Sequence, residues 1–228
     1  KSTTMMYYLD LYASTRNGPN ENFARELLEL HTLGVENYAG ILPPDDPSLP
    51  IGVAGDGIPV RLKYVDNDVY EAARALTGWT IRNGHWQYPA DDDGTYIYRL
   101  DWHDSFNKFF LNRYFAQSQV DNGADGRKVF DILSAHPGTA AFIARKLCRR
   151  FVHDNPGMAL VEQVATRFLD ARTDPDQIAQ CVGLILSSDE YKESLGTTMK
   201  RPAMAAVGAL RALAADFTPV PDNTATWT

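Results

Sequence analysis

The segment from residue 40 to residue 63 most constrains what this chain can fold into. It holds five prolines, at 43, 44, 47, 50 and 59, and four glycines, at 40, 52, 55 and 57. Proline lacks a backbone donor and glycine lacks restraint, so no helix continues through such a stretch. It reads as a long irregular loop, an insertion or lid between two helical blocks.

The blocks on either side are well punctuated. Asn20 is a good N-cap and Glu21 suits the first turn. Phe23, Leu27, Leu30 and Leu33 then recur near the helical period, and Gly34 supplies a stop. This spacing predicts a helix over 20–33, preceded by another over 4–13. A helix over 66–77 follows the loop, capped by Asp66 or Asn67 and stopped by Gly78, with Val69, Ala72, Ala73 and Leu76 apolar. Residues 79–115 are rich in aromatics. Alternation from Thr95 to Asp101 predicts a strand, with Gly84 to Tyr88 as its partner and a turn through Asp91 to Gly94.

Helical periodicity resumes at Gly126. Helices are expected to about 135, then over 139–152, 158–171, 174–187 and 200–214. Asp174-Pro175 and Pro202 serve as start signals. The expected fold is mainly α: a multi-helix, bundle-like single domain over 1–214. It carries the irregular insertion at 40–63, an aromatic-rich β excursion at 80–115 and an irregular tail at 215–228.

Hydrophobic residues make up 44% of the 228 and charged residues 22%, enough for a packed core. The formal net charge of −7 disfavours nucleic acid and anionic lipid as general partners. No apolar run approaches the roughly 20 residues of a membrane span. The opening residues carry no secretory signal and already read as helix, so the chain is expected to be an internal piece of a longer protein. Cys148 and Cys181 fall in apolar helical patterns, as expected of two buried free thiols, and their spacing leaves a disulfide between neighbouring helices open as the alternative. The chain contains no CxxC, GxSxG, GxGxxG, P-loop or EF-hand pattern.

Three groups of residues could carry chemistry. The densest joins Glu21, Arg25, Glu26, Glu29 and His31 on the 20–33 helix to Glu71 and Arg74 on the next. Opposed Glu and Arg can cross-pair and fix two helices together. The same carboxylates, with His31, could instead line a site for a divalent metal or for acid/base work. His31 stands two residues after Glu29 and five after Glu26, which is neither Glu-x-x-His nor His-Glu-x-x-His. The second group is His103-Asp104 at the strand exit, which serves as metal ligand or base only if a turn aims both side chains together. The third is His136, with Gly138 or Thr139 as a cap for the next helix. The basic stripe Arg145, Lys146, Arg149, Arg150 lies downstream on that helix and suits its C-terminal end, with an acidic partner as the lesser reading.

Several of these stretches together resemble a known family. Residues 19–34 (PNENFARELLELHTLG), 69–79 (VYEAARALTGW), His103-Asp104, His136-Pro137 and 139–147 (TAAFIARKL) follow one another in the order seen in the bacterial DUF1800 family, a domain of unknown function. Arg150-Phe151 and the stretch from Ser187 to Tyr191 match in style. The motifs identify the family and not a chemistry, and no catalytic residues carry over. Members are typically longer, often exported, and frequently encoded beside a secreted DUF1501 protein related to sulfatases and phosphatases. The resemblance thus implies a central to C-terminal fragment of a periplasmic or extracellular protein with a partner of that type. The segment 40–63 departs from compact members and is expected to cover a site. Two functions stay open: an accessory or interaction protein, or a metal-dependent or acid/base hydrolase.

Overall fold

The computed structural model describes residues 2–117, 122–197 and 200–216. Among them are nine α-helices and three two-stranded antiparallel sheets, a mainly α architecture. Ser2 caps α1 (Thr3–Tyr8), and a 3-10 turn at Leu11–Ala13 follows in place of one continuous helix over 4–13. Asn20 caps α2 (Glu21–Glu26), its side-chain oxygen accepting from the Asn22 N–H at 2.9 Å. The helix then widens into a π-helical run, Leu27–Thr32. That wider turn shifts the side-chain faces away from a 3.6-residue period. Faces counted on that period from Glu26 therefore do not carry through to Glu29 and His31.

The segment 40–63 is less irregular than its prolines suggest. It contains a hairpin of β1 (Ile51–Val53) and β2 (Pro59–Arg61) in the register Ile51↔Arg61. Pro59 stands at the first position of its strand, where a missing donor is tolerated. α3 (Asp66–Leu76) begins as expected, but Asp68 completes its start: its carboxylate accepts from the Val65 N–H at 2.8 Å. Gly78 ends the helix at φ +82°, and a Cβ there would meet the Arg99 carbonyl oxygen at 2.6 Å.

The strand predicted near Thr95 exists as β4 (Tyr96–Tyr98), but its partner is β3 (Trp79–Ile81). Gly84 to Tyr88 forms turns instead, with the Gly84 N–H donating to Asp91 O. Burial explains the choice, because Trp79 and Ile81 fill the core while Trp86 is 79% exposed. A further hairpin, β5 (Lys108–Phe110) with β6 (Arg113–Phe115), was not anticipated. Its turn residues Leu111 and Asn112 both have positive φ, at 50° and 67°. A two-residue hairpin turn needs that geometry. Leucine resists it, and so does not advertise it.

The rest is helical: α4 (Ala124–Ala135), α5 (Pro137–Phe151), α6 (Met158–Asp170), α7 (Gln177–Ser187), α8 (Asp189–Glu193) and α9 (Pro202–Ala212). Pro202 opens α9 as expected, whereas α7 starts beyond the Asp174-Pro175 signal and α8 was not foreseen. Most of the tail expected over 215–228 lies outside the described residues. Buried side chains form two clusters, one from α1 to α4 with the hairpins and one from α5 to α7. Cys148 and Cys181 are free thiols in the second cluster, and burial pushes the Cys148 thiol up to about 11.

His136 sits where the two clusters meet, fully buried. Its Nδ1 accepts from the Gly138 N–H at 2.8 Å, capping α5, and its Nε2 lies 2.9 Å from Arg61 O. One neutral tautomer satisfies both contacts, with Nε2–H donating. Burial, with a smaller push from the charge of Arg113 and against the opposing hydrogen bond to Arg61 O, leaves the imidazole less basic than usual. The unfolded chain therefore takes up this proton first. The stability His136 gives is full above about pH 6.5 and declines as pH falls toward its lower folded value. Chemical denaturation from pH 8 to pH 5, both about the range where histidine titrates, should show that decline. His136→Asn, which keeps a cap, should flatten it.

Candidate functional site

α3 carries a row of polar residues, Asp68, Glu71 and Arg74, one helical turn apart. Such i, i+3 spacing lays side chains along one face. That face packs on the outer edge of β5. The Asp68 carboxylate accepts from the Leu111 N–H at 2.9 Å, and Glu71 accepts from the Phe109 N–H at 2.8 Å. The Phe109 donor belongs to the free edge of β5 and the Leu111 donor to the turn that follows it, so the α3 row spans strand and turn. The two carboxylates thus occupy backbone positions that a further strand would otherwise fill.

Arg74 completes the row. Its Nη1 donates to Glu71 at 2.7 Å, its Nε to Asp104 Oδ2 at 2.7 Å, and its Nη2 to Asp104 Oδ1 at 3.2 Å and to Asn107 O at 3.3 Å. Asp68 is paired in turn with the fully buried Arg61, whose other Nη donates to Pro44 O at 2.6 Å. The proline-rich segment is thereby tied over α3.

His103 and Asp104 part company. A 3-10 turn at Leu100–Trp102 delivers His103 into the core, with Nδ1 2.8 Å from Thr77 O, and turns Asp104 toward Arg74. The Thr77 hydroxyl accepts from the Asp104 N–H at 2.8 Å. His103 Nε2 lies 3.6 Å from Asp125, whose carboxylate also takes the buried Lys108 ammonium at 2.9 Å. Burial would raise both Asp104 and Asp125. Arg74 and the Phe106 N–H hold Asp104 below the usual carboxylate range, and His103, Lys108 and Lys128 do the same for Asp125. Asp68 runs the other way: burial pushes its carboxyl up, ahead of the opposing pull of Arg61 and its backbone donors.

The remaining candidates are dispersed. Glu21 and Asp66 share Arg25 at 3.3 Å each, all half-exposed. Glu26 and Glu29 are half-buried on α2 and its π-helical extension, with no ion pair among the described residues. His31 is exposed and lines an apolar cavity of about 460 Å³, walled by Met5, Met6, Leu9, Phe23, Trp79 and Phe130 among others. Thr139 is buried in the first turn of α5 and does not cap it, because His136 does. Among the described residues no group of three or more His, Cys, Asp or Glu is disposed to hold a metal ion. Of the candidates read from the sequence, the structure brings together Glu71 and Arg74 from the first group and Asp104 from the second, and leaves Glu21, Arg25, Glu26, Glu29, His31 and His103 apart from them. Sequence reading missed Asp68, Arg61, Lys108 and Asp125. The one available signal was Asp68 three residues before Glu71, on the face that faces inward.

Removing Arg74 leaves two carboxylates buried and uncompensated. Arg74→Met should destabilise the fold by about 3–5 kcal/mol in chemical denaturation, and Arg74→Lys should recover only part because it loses the forked geometry. Asp104 and Asp125, depressed in the folded chain, give stability that is complete above about pH 4, the unfolded carboxyl value, and is lost as pH falls through their lower folded values. Asp125→Asn should shrink that acid limb in a pH titration of unfolding.

No curated protein and no solved structure matches this chain. The family model described as protein of unknown function (DUF1800) matches residues 1–228, and the chain belongs to the DUF1800 family.

Proposed function

We propose that this chain is an accessory or interaction protein of a bacterial periplasm or cell exterior, acting beside a secreted DUF1501-type protein. One observation carries this reading. The polar residues that a hydrolase would deploy, Glu71, Arg74 and Asp104, spend their hydrogen-bonding capacity on one another and on the backbone of β5 and its approach. A group that activates water or a leaving group must reach the reacting atom within hydrogen-bond distance. Here the carboxylates face the protein's own donors.

The surface offers contact area of a different kind. Trp86 stands 79% exposed on the loop between β3 and β4, and the apolar cavity beside α1 is open to solvent. Exposed aromatics of this sort suit recognition. No helix among the described residues is long and apolar enough to cross a membrane. Export and the DUF1501-type partner come to this chain from its family resemblance.

The test is co-expression of the tagged chain with the DUF1501-type protein encoded beside it, followed by size-exclusion chromatography. Co-elution, reduced by Trp86→Ala, is expected, and separate elution of two folded proteins at micromolar concentration overturns the partnership. In parallel, aryl phosphate and aryl sulfate esters should not be turned over with or without added divalent metal. Turnover abolished by Asp104→Asn in a chain that keeps its circular dichroism would restore the metal-dependent or acid/base hydrolase reading.

A further inference from the structure

The chain is acidic overall, yet one cleft of about 800 Å³ gathers its cations. One wall is the last part of α5, where Lys146, Arg149 and Arg150 share a face at i, i+3 and i+4. Lys200 and Arg201, on the approach to α9, form the other. Among the described residues Asp154 is the one carboxylate lining the cleft, and Met204 adds an apolar surface.

Among the described residues Arg149, Arg150, Lys200 and Arg201 make no ion pair. Lys146 donates to Leu30 O at 2.9 Å and lies 4.2 Å from the Phe142 ring centre. Cations at the end of α5 have an ordinary explanation, since they offset the negative pole of that helix. That explanation fails for Lys200 and Arg201. They flank the N-terminus of α9, where the positive pole of the helix disfavours them. Like charges brought together across a cleft repel one another further, and among the described residues a single lining carboxylate, Asp154, stands against five cations. An anion would relieve that repulsion.

We propose that this cleft binds a phosphorylated ligand carrying at least two negative charges. Guanidinium groups present forked donors that match phosphate oxygens, and three of them stand here with two ammonium groups. The volume lies within the range of small-molecule sites and exceeds what a lone phosphate fills, leaving Met204 for the body of the ligand. The same phosphate chemistry comes from a soluble metabolite or from a lipid headgroup, and the experiment separates the two.

Pyrophosphate and inorganic phosphate are titrated calorimetrically into the chain. Sedimentation with vesicles of phosphatidylglycerol and phosphatidylcholine in equal parts is run beside vesicles of phosphatidylcholine alone. The double variant Arg149→Gln, Arg201→Gln removes one guanidinium from each wall at exposed positions, so the fold should survive, as circular dichroism will check. Arg145→Gln, whose guanidinium pairs with Glu36 outside the cleft, is the control. Pyrophosphate should bind more tightly than phosphate and weaken with salt. The double variant should bind about 10- to 100-fold less tightly, with the control unchanged. Variant-sensitive binding to the anionic vesicles alone assigns the phosphate to a lipid headgroup, and variant-sensitive binding of pyrophosphate assigns it to a soluble ligand. Absence of binding to either probe, or binding undiminished in the double variant, overturns the proposal.

Discussion

Much of this structure depends on two carboxylates of α3 taking the place of a neighbouring strand. A hairpin of three-residue strands is too short to stand alone in water. Its free edge also exposes backbone donors that would be costly to bury unpaired. Asp68 and Glu71 accept the Leu111 and Phe109 donors, so the β5 edge is both satisfied and attached to a helix. The contact also holds Leu111 in its left-handed conformation, which a leucine would not choose unaided.

Placing those carboxylates inside creates a second requirement. A buried carboxylate is tolerated when it is paired and fully hydrogen-bonded. Arg61 answers Asp68, Arg74 answers Glu71 and Asp104 together, and Lys108 answers Asp125. Each cation in turn hydrogen-bonds backbone carbonyls of an irregular segment: Pro44 for Arg61, Asn107 for Arg74, Asp104 and Phe106 for Lys108. The loops are therefore anchored by the charges that the helix row brings in. This is how segments rich in proline and turns acquire a defined path without much regular structure.

The helical framework was legible in the sequence because caps, stops and apolar period agree with one another, as at Asn20, Gly78 and Pro202. The hairpins were less so. Trp79–Ile81 reads as the debris of a helix stop, and its partner lies beyond a long turn, so alternation alone favoured the nearer Gly84 to Tyr88. β1 and β2 are masked by the prolines around them. The β5–β6 turn uses Leu111, where a sequence reader looks for Gly or Asn. The candidate centre was half legible. Glu71, Arg74 and Asp104 stood out as charges at suggestive spacing, but spacing does not show that their partners are each other. The end of the 20–33 helix was hard to read for a separate reason, because the π-helical widening after Glu26 alters the faces on which period arguments rest.

The same polar contacts join the two buried clusters. Arg61 binds Asp68 through its side chain, receives His136 Nε2–H at its carbonyl and donates its own N–H to Leu111 O. His136 caps α5, and α5 is the helix against which α6 and α7 pack. One residue of β2 thus touches the helix row of the first cluster and the helix start of the second. The orientation of α5 is set from its buried N-terminal end, while its cationic residues lie at the opposite, solvent-facing end. A rigid helix carries orientation along its length, so the geometry of the basic cleft rests in part on a capping histidine at the other end of α5. That dependence follows from contact alone and requires no change of conformation.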